Sequence, residues 1–309
     1  MRRRIAIVLG DAGSAQYILP TLQGLRECSA VTLFTENESA AARVLDHSKE
    51  SYTVIGEGFI DFSPFSLVLC GTAGKSIDLW KRASEAALQG RVPLAWFGDF
   101  FGSGSEFGVR HMSPNHVAIF DSRSGSAFKR ARPGFPGSHI SVVGNPAFDR
   151  IRAQNASSVR RVARNKLRLG PDARHVHYSV SSITQFRVME SLAVLLPWIH
   201  SRELSLSVGF HPADGKERIE ALRQEIVSAL GSRFIETGPR LTGLECALAA
   251  DCFVTEYSTS GVEAMVAGVP TAFLLLPSAA AYQESRCRTF PYFPLIADTE
   301  RPKSGLGIF

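Results

Sequence analysis

The amino-acid sequence predicts two doubly wound α/β domains, each built on a parallel sheet, that face each other across a cleft. The chain has 309 residues, the length of two ordinary domains. It is 45% hydrophobic and 20% charged, a globular composition that argues against disorder and against collagen-like or coiled-coil structure. Short apolar runs alternate with helical patterns twice along the chain, and such runs are typical of parallel strands covered on both faces.

The first alternating series begins with the apolar run Ile5–Leu9, which ends at Gly10. A helical pattern follows, with Ile18, Leu22 and Leu25 on one face. Further strands are predicted at Val31–Thr35, Tyr52–Ile55, Ser66–Cys70, Val92–Phe97, His116–Phe120 and Ile140–Val143. Helices are predicted around Ala41–Leu45, Ile77–Leu88 and Ser126–Arg130.

The texture of the chain changes after Gly144-Asn145-Pro146. Residues 150–168 hold seven basic side chains and no acidic one, and a second alternating series follows Gly170-Pro171-Asp172. Its strands are predicted at His175–Val180, Leu204–Phe210, Phe234–Glu236, Phe253–Tyr257 and Thr271–Leu276, and its helices at 184–196, 215–230, 241–249 and 260–268. The predicted organisation is an N-terminal acceptor domain at 1–149, a basic interdomain linker or helix at 150–172 and a C-terminal nucleotide-donor domain at 173–309.

Charge and cysteine content limit the classes of function. The net charge of +5 fits anionic small molecules or an anionic membrane surface and does not require nucleic acid as a partner. A solvated interdomain helix explains the arginines of 150–168, with peripheral contact with the inner face of the membrane as the alternative. The five cysteines form no C-x-x-C pair, so we expect small buried residues in a reducing compartment. No apolar run approaches the ~20 residues of a membrane helix, and a cytoplasmic protein is predicted.

Two loops of the N-terminal domain are candidate acceptor or phosphate loops. Small residues after the first strand let the backbone approach a ligand, and the helix that they open favours an anion, although a tight strand–helix turn explains them equally. The loop after the fourth strand ends in Gly74-Lys75-Ser76 but is two residues short of the Walker pattern, which argues against an ATPase. The candidate residues are Gly10, Asp11, Gly13 and Ser14 in the first loop, and Gly71 and Thr72 in the second.

Asp99 is the candidate catalytic residue. It stands in the glycine-rich segment Trp96–Gly104, which ends a predicted strand and holds aromatic residues on both sides of the carboxylate. Aromatic rings can form a platform for a sugar, and Asp99 can then act as general base on an acceptor hydroxyl. The alternative is that Asp99 caps the loop, in which case Glu106 and Asp11 are the next candidates for the base.

The C-terminal domain carries the most informative patterns. His211 follows a predicted strand and precedes a proline, so we expect it to point into the cleft and donate a hydrogen bond to phosphate. After the strand in Asp251–Pro270, hydroxyls and amides start the next helix and form an anion cradle in front of its dipole. Glu263, in the first helical turn, either folds back as a capping residue or accepts hydrogen bonds from a ribose. The cradle consists of Ser258, Thr259, Ser260 and Gly261.

These residues carry a family resemblance. The pattern Ser-Thr-Ser-Gly-Val-Glu-Ala-x-x-x-Gly-x-Pro from Ser258 resembles the carboxyl-domain signature of GT-B-fold glycosyltransferases and the related UDP-N-acetylglucosamine 2-epimerases. The resemblance implies that the hydroxyls contact nucleotide phosphates and that the glutamate binds the ribose. His211-Pro212 resembles the His-Pro element of capsule, teichoic-acid and sialic-acid transferases, whose histidine faces the donor phosphate. Val143–Asp149 is similar to the segment that closes the amino domain, and Gly10–Ser14 resembles the first loop of lipid-A-disaccharide synthase.

The resemblance implies a glycosyltransferase of surface or secondary glycan assembly that moves a sugar from a nucleotide-sugar donor to a glycan or small-molecule acceptor. Amide and hydroxyl donors can stabilise the leaving phosphate, so neither a metal nor another cofactor is expected. Two alternatives stay open. One is a UDP-N-acetylhexosamine 2-epimerase or hydrolase. The acidic and histidine residues of the epimerase amino domain have no recognisable counterparts in this sequence, which argues against an epimerase. The other is a catalytically degenerate GT-B scaffold that binds a nucleotide or a protein partner.

Overall fold

The computed structural model describes residues 2–72, 77–98, 111–180, 188–210, 215–238, 241–256, 258–274 and 307–308. These residues fall into two units, the first running to Arg150 and the second beginning at Ile151. Each unit is a doubly wound α/β structure with a Rossmann-like sheet, which confirms the predicted fold class.

The first unit follows the predicted alternation of strands and helices. Its described strands are β1 (Arg3–Val8), β2 (Ser29–Thr35), β3 (Thr53–Val54), β4 (Leu67–Gly71), β5 (Leu94–Phe97), β6 (His116–Ile119) and β7 (Ile140–Val142). Its described helices are α1 (Ala12–Ile18), α2 (Leu22–Cys28), α3 (Ala40–His47), α4 (Ile77–Gln89) and α5 (Ser122–Ala131), and α6 (Pro146–Ala153) spans the boundary. These strands pair in parallel in the order β3-β2-β1-β4-β5-β6-β7.

Both faces of this sheet are buried, which explains the nearly continuous apolar runs of its strands. Ile5 and Ile7 of β1 pack with side chains of α1 and α3, whereas Ala6 and Val8 belong to the core on the other face. That second core contains Trp80 of α4 and Trp96 of β5, whose rings pack edge to face with their centroids 4.8 Å apart.

The helical pattern after β1 is broken where the sequence predicts one apolar face. A 3₁₀ turn at Leu19–Thr21 separates α1 from α2, with Pro20 in its first turn. Because proline has no N–H to donate, it favours the start of a helical segment over its interior. Ile18 and Leu22 are buried, and Leu25 packs against the same core, so the three residues share one face as predicted.

The second unit repeats the architecture on a smaller sheet. Its described strands are β8 (His175–Ser179), β9 (Ser205–Gly209), β10 (Phe234–Ile235), β11 (Cys252–Thr255), β12 (Thr271–Phe273) and β13 (Gly307–Ile308). Its described helices are α7 (Ala156–Lys166), α8 (Val188–Ser201), α9 (Lys216–Leu230), α10 (Gly243–Ala249) and α11 (Thr259–Val266). The order is β10-β9-β8-β11-β12-β13, parallel except for the antiparallel pair of β12 and β13. Core side chains of α8 and α9 cover one face, and those of α10 and α11 cover the other.

Helix α7, in the segment predicted as a linker, belongs to the second unit and packs against α10. The expectation of a solvated helix is wrong for two of its arginines. Arg160 donates to the carbonyl of Leu248 at 2.8 Å, and the buried Arg164 donates to those of Ala249 at 3.0 Å and Ala173 at 2.6 Å. The end of α10 leaves carbonyls without helical donors, so the two guanidinium groups satisfy them.

Two further expectations concern the cysteines and the membrane. Cys70 and Cys246 are buried as predicted, and burial raises the pKa of each thiol to about 12. Cys252 is half-buried, and Cys28 is exposed, so the expectation of burial is wrong for Cys28. Cys287 lies outside the described residues. Within the part of the chain that the structure describes, no helix is long and apolar enough to span a membrane.

Substitution of Gly71 tests the contact between β4 and α1. A Cβ atom at this position would lie 2.5 Å from Cβ of Ser14, which is fully buried, and 2.9 Å from the ring of Phe97. Gly71→Ala is therefore expected to lower the free energy of unfolding by about 1–3 kcal/mol in urea denaturation. Adding Ser14→Gly removes the nearest atom and is expected to restore part of the loss.

Gly24 of α2 is the matched control, because a Cβ atom added there would have no atom within 4 Å outside its own helix backbone and its chain neighbours. Gly24→Ala is expected to leave stability unchanged or raise it by up to about 1 kcal/mol, since alanine favours a helix over glycine. A Gly71→Ala variant as stable as the wild type would contradict the tight packing.

Candidate functional site

The ends of β8 and β11 lie side by side in the second unit. From β8 the chain continues through α8 to β9, and from β11 it continues through α11 to β12 on the opposite side, so the pair is a topological switch point. The last residues of the two strands, Ser179 and Thr255, are register partners. The Thr255 hydroxyl donates to the Ser179 carbonyl at 2.9 Å and ties the two ends together. In open α/β sheets, ligands bind at such points.

Three serine hydroxyls meet at this switch point, and we call Ser179, Ser258 and Ser260 the hydroxyl trio. Ser258 is the N-cap of α11 and accepts the backbone N–H of Ser260 at 3.3 Å. The Ser260 hydroxyl donates to Ser258 Oγ at 2.7 Å, and Ser179 Oγ lies 3.1 Å from Ser260 Oγ. Since the Ser260 proton points to Ser258, Ser179 is the donor to Ser260. Among the described residues, the Ser258 proton then has no acceptor and is available to a ligand oxygen.

The other residues of the predicted cradle have distinct environments. Thr259, the first residue of α11, is exposed, and its hydroxyl has no hydrogen-bond partner in the described part of the chain. Gly261 packs so tightly that a Cβ atom would lie 2.8 Å from Thr255 Cγ2 and 2.9 Å from the Phe273 ring. Its N–H donates to the Ser258 carbonyl at 3.0 Å. Gly261 therefore lets α11 approach the sheet, and its predicted ligand contact stays a prediction.

The predicted place of Glu263 in the first helical turn is wrong. The helix starts at Thr259 after the Ser258 cap, so Glu263 is its fifth residue and lies beyond the first turn. A glutamate that caps in return for an N-cap serine stands three residues after it, and that position holds Gly261. Glu263 is half-buried, and its predicted contact with a ribose stays a prediction.

Asp99, His211 and Glu106 lie outside the described residues, so their predicted roles stay predictions. The structure does describe the strands that lead to two of them. Strand β5 ends at Phe97, two residues before Asp99, and β9 ends at Gly209, two residues before His211.

The two candidate loops of the first unit meet at the ends of β1 and β4. The buried Ser14 hydroxyl donates to the Asp11 carbonyl at 2.8 Å, and Ser14 packs against Gly71. Thr72 is buried, and its N–H donates to the carbonyl of Phe97 at 2.9 Å. Asp11 is half-buried at the N-cap of α1 and makes no side-chain cap hydrogen bond. Gly10 precedes it, and Gly13 follows two residues later. Ser14 and Gly71 thus have packing roles, and ligand binding by this loop pair stays a prediction.

A buried carboxylate next to the trio was missed by sequence reasoning. Glu256, which follows β11, is 2% exposed and accepts hydrogen bonds from the Tyr178 hydroxyl and, at 2.7 Å, from the Ser191 hydroxyl. Burial, followed by the Glu256 charge, raises the pKa of Tyr178. The available signal was an acidic residue ending an apolar strand directly before the cradle. Ser179 gave no signal, because only the pairing of β8 with β11 brings it to Ser260.

A buried hydrogen-bonded chain crosses β8 and β9 on the face covered by α10 and α11. Ser205 donates to the Arg174 carbonyl, which can only accept, so Ser205 Oγ accepts from His175 Nδ1 at 2.9 Å. His175 Nε2 then accepts from Ser207 at 2.9 Å, and Ser207 Oγ accepts from His177 Nδ1 at 2.8 Å. Both histidines are neutral, since burial lowers the pKa of His175 to about 4 and that of His177 to about 3.

The described residues contain no metal-ligand cluster. No group of three or more His, Cys, Asp or Glu side chains among them could hold a metal ion.

Similarity to known proteins lies in the fold. The sequence matches no protein-family model and no curated protein. The UDP-N-acetylglucosamine 2-epimerase of Rickettsia bellii superposes with a TM-score of 0.64 at 13% identity, over 99% of this chain and 91% of that one. The enzyme of the same name from Neisseria meningitidis, solved with UDP-GlcNAc bound, superposes with a TM-score of 0.62 at 13% identity, over 90% of this chain and 85% of that one. A glycosyltransferase from Rickettsia africae superposes with a TM-score of 0.60 at 7% identity, over 93% of this chain and 88% of that one. The chain therefore shares the fold of these solved enzymes, as the resemblance implied.

The buried histidines predict an acid-labile fold. In the unfolded chain each histidine takes up a proton near pH 6.5, whereas the folded protein resists it down to about pH 4 for His175 and about pH 3 for His177. The unfolded state therefore binds more protons as the pH falls, and stability is lost from about pH 6.5 downwards. The slope that each histidine contributes grows as the pH falls through 6.5 and approaches about 1.4 kcal/mol per pH unit near pH 5. Urea denaturation between pH 7 and pH 5 measures the loss in the free energy of unfolding.

His177→Gln is expected to flatten this slope, whatever its effect on stability at pH 7. The exposed His47 is the matched control, and His47→Gln is expected to leave the slope unchanged. Wild-type stability that is constant between pH 7 and pH 5 would contradict the neutral, buried state of the two histidines.

Proposed function

We propose that the chain is a nucleotide-sugar enzyme, a glycosyltransferase that moves a sugar from a nucleotide-sugar donor to a glycan or small-molecule acceptor. The observation that carries the proposal is the hydroxyl trio at the switch point of the second unit, in front of the N-terminus of α11. The fold, which is shared with enzymes named for nucleotide-sugar chemistry, supports the same class.

The second unit holds the nucleotide diphosphate in this proposal. The Ser258 proton is not used within the trio, and the next residue, Thr259, is exposed, so both hydroxyls can donate to phosphate oxygens. The first amides and the dipole of α11 favour the same negative charge. Donors of this kind stabilise the charge that develops on the leaving diphosphate, and they need no metal ion. His211 adds a further phosphate contact, and Glu263 holds the ribose.

The first unit holds the acceptor, with Asp99 as the general base. Removal of a proton from the acceptor hydroxyl raises its nucleophilicity at the moment when the bond to the leaving phosphate breaks. The position of Asp99 two residues after β5 supports this role, because functional residues of open α/β sheets follow the carboxyl ends of strands.

The alternative function is a UDP-N-acetylhexosamine 2-epimerase or hydrolase. Two of the three solved structures named above are UDP-GlcNAc 2-epimerases, and this observation keeps the alternative. Incubation with UDP-GlcNAc alone discriminates the two. An epimerase or hydrolase converts the nucleotide sugar without an acceptor, whereas a transferase consumes it at an appreciable rate only when an acceptor is added.

Alanine substitution of the two trio serines in the α11 cap tests the donor site. A ligand that binds only the native state raises the melting temperature, so the preferred nucleotide among UDP, GDP, CMP and TDP is first identified by thermal shift. In the double variant Ser258→Ala, Ser260→Ala, this shift is expected to disappear. The melting temperature without ligand falls only by the few degrees that loss of an N-cap causes.

Ser39 provides the matched control. It caps α3 in the first unit and accepts the N–H of Ala42 at 2.9 Å, so Ser39→Ala removes an equivalent cap in the other unit. This variant is expected to keep the full nucleotide-dependent shift. A shift of wild-type size in the double variant would mean that the nucleotide binds elsewhere.

Asp99→Asn tests the base. The substitution is nearly isosteric but cannot accept a proton, so turnover is expected to fall by a factor on the order of 10²–10⁴ with nucleotide affinity unchanged. Asp121, which caps α5 through its contact with the N–H of Ser124, is the control carboxylate, and Asp121→Asn is expected to retain turnover. Near-normal turnover in Asp99→Asn would assign the base to another residue.

A further inference from the structure

The end of β11 is tied to the end of β8 from both faces of the sheet. On the α11 face, Thr255 donates to the Ser179 carbonyl, and the Ser179 hydroxyl reaches Ser260. On the α8 face, the next residue, Glu256, accepts a hydrogen bond from Tyr178, the residue before Ser179. Two consecutive residues of one strand end thus bind two consecutive residues of the other, from opposite sides.

Glu256 also joins a third element, because Ser191 of α8 donates to its Oε1 atom at 2.7 Å. A carboxylate that is 2% exposed is costly to bury, and packing alone could be achieved by an apolar side chain at the same place. Unlike an apolar side chain, the carboxylate accepts hydrogen bonds, which are directional. Hydrogen bonds from two hydroxyls on different elements fix the position of Glu256, and the cap residue Ser258 lies only two residues further along the chain.

We propose that Glu256 is a positioning residue, which with Tyr178 and Ser191 forms a latch that holds Ser258 and Ser260 in the geometry for binding a diphosphate. The latch rests on the proposed function for its ligand, but its effect on the α11 cap exists without one. Glu256 does not itself contact the ligand, because its side chain lies on the α8 face and the hydroxyl trio on the α11 face.

The effect of Glu256→Gln on UDP affinity distinguishes a positioning role of Glu256 from a direct electrostatic effect of its charge on the ligand. Glu256 carries the same charge as a phosphate, so Glu256→Gln removes a repulsion and by charge alone strengthens binding of a nucleoside diphosphate. The latch predicts the opposite. Glu256→Gln keeps an acceptor oxygen but loses the charge that strengthens both hydrogen bonds, and Tyr178→Phe removes one donor. Each is expected to weaken UDP binding about tenfold in titration calorimetry, and their effects are expected to be less than additive because both weaken the same contact.

The control is a buried hydrogen bond of similar kind in the other unit. Ser84 accepts the indole N–H of Trp96 at 3.0 Å in the core of the first unit. Ser84→Ala is expected to lower the melting temperature, as the latch variants do, while UDP affinity stays at the wild-type value. This control separates a loss of positioning from a general loss of stability.

Hydrogen exchange of the protein without ligand tests the latch independently of its ligand. In Tyr178→Phe, the amides of residues 258–261 are expected to exchange about tenfold faster than in the wild type, and in Ser84→Ala at the wild-type rate. Faster exchange in a protein that binds none of the nucleotides supports the latch and overturns the proposed function. Unchanged exchange, or folded Tyr178→Phe with wild-type UDP affinity, overturns the latch.

Discussion

The hydrogen bond between the Thr255 hydroxyl and the Ser179 carbonyl joins the ends of β8 and β11, and the arrangement of the candidate site depends on this junction. It lies where the winding of the second sheet reverses, so helices leave in opposite directions. Ser179 and Ser260 come from segments 81 residues apart and meet only because these strands are neighbours. Gly261 completes the junction, because a side chain there would prevent α11 from approaching the sheet.

Much of this fold could be predicted from the sequence. Parallel strands buried on both faces read as apolar runs, and the helices between them show their own period, so the elements lie within a few residues of the predicted ranges. The first residue of α11, the helix that contains Glu263, was harder to predict. Two serines two residues apart could each cap α11, and the choice of Ser258 depends on its contacts with Thr255 and Ser260 in the folded chain.

Contacts that depend on tertiary pairing could not be predicted. The arginines of α7 look like a solvated basic face, but two of them bind carbonyls at the end of α10 that are more than 80 residues away. Glu256 looks like the polar end of a strand, but Tyr178 and Ser191 enclose it. These contacts can be predicted only when the neighbouring strands are known, and the local propensity of the sequence does not contain that information.

We propose above all that a nucleotide diphosphate binds at the junction of β8 and β11. Titration of isotopically labelled protein with UDP, followed by amide chemical shifts, tests it most directly. The largest shifts are expected on Ser179 and on residues 258–261 at the start of α11. Saturable shifts confined to other strand ends, with these amides unmoved, would contradict it.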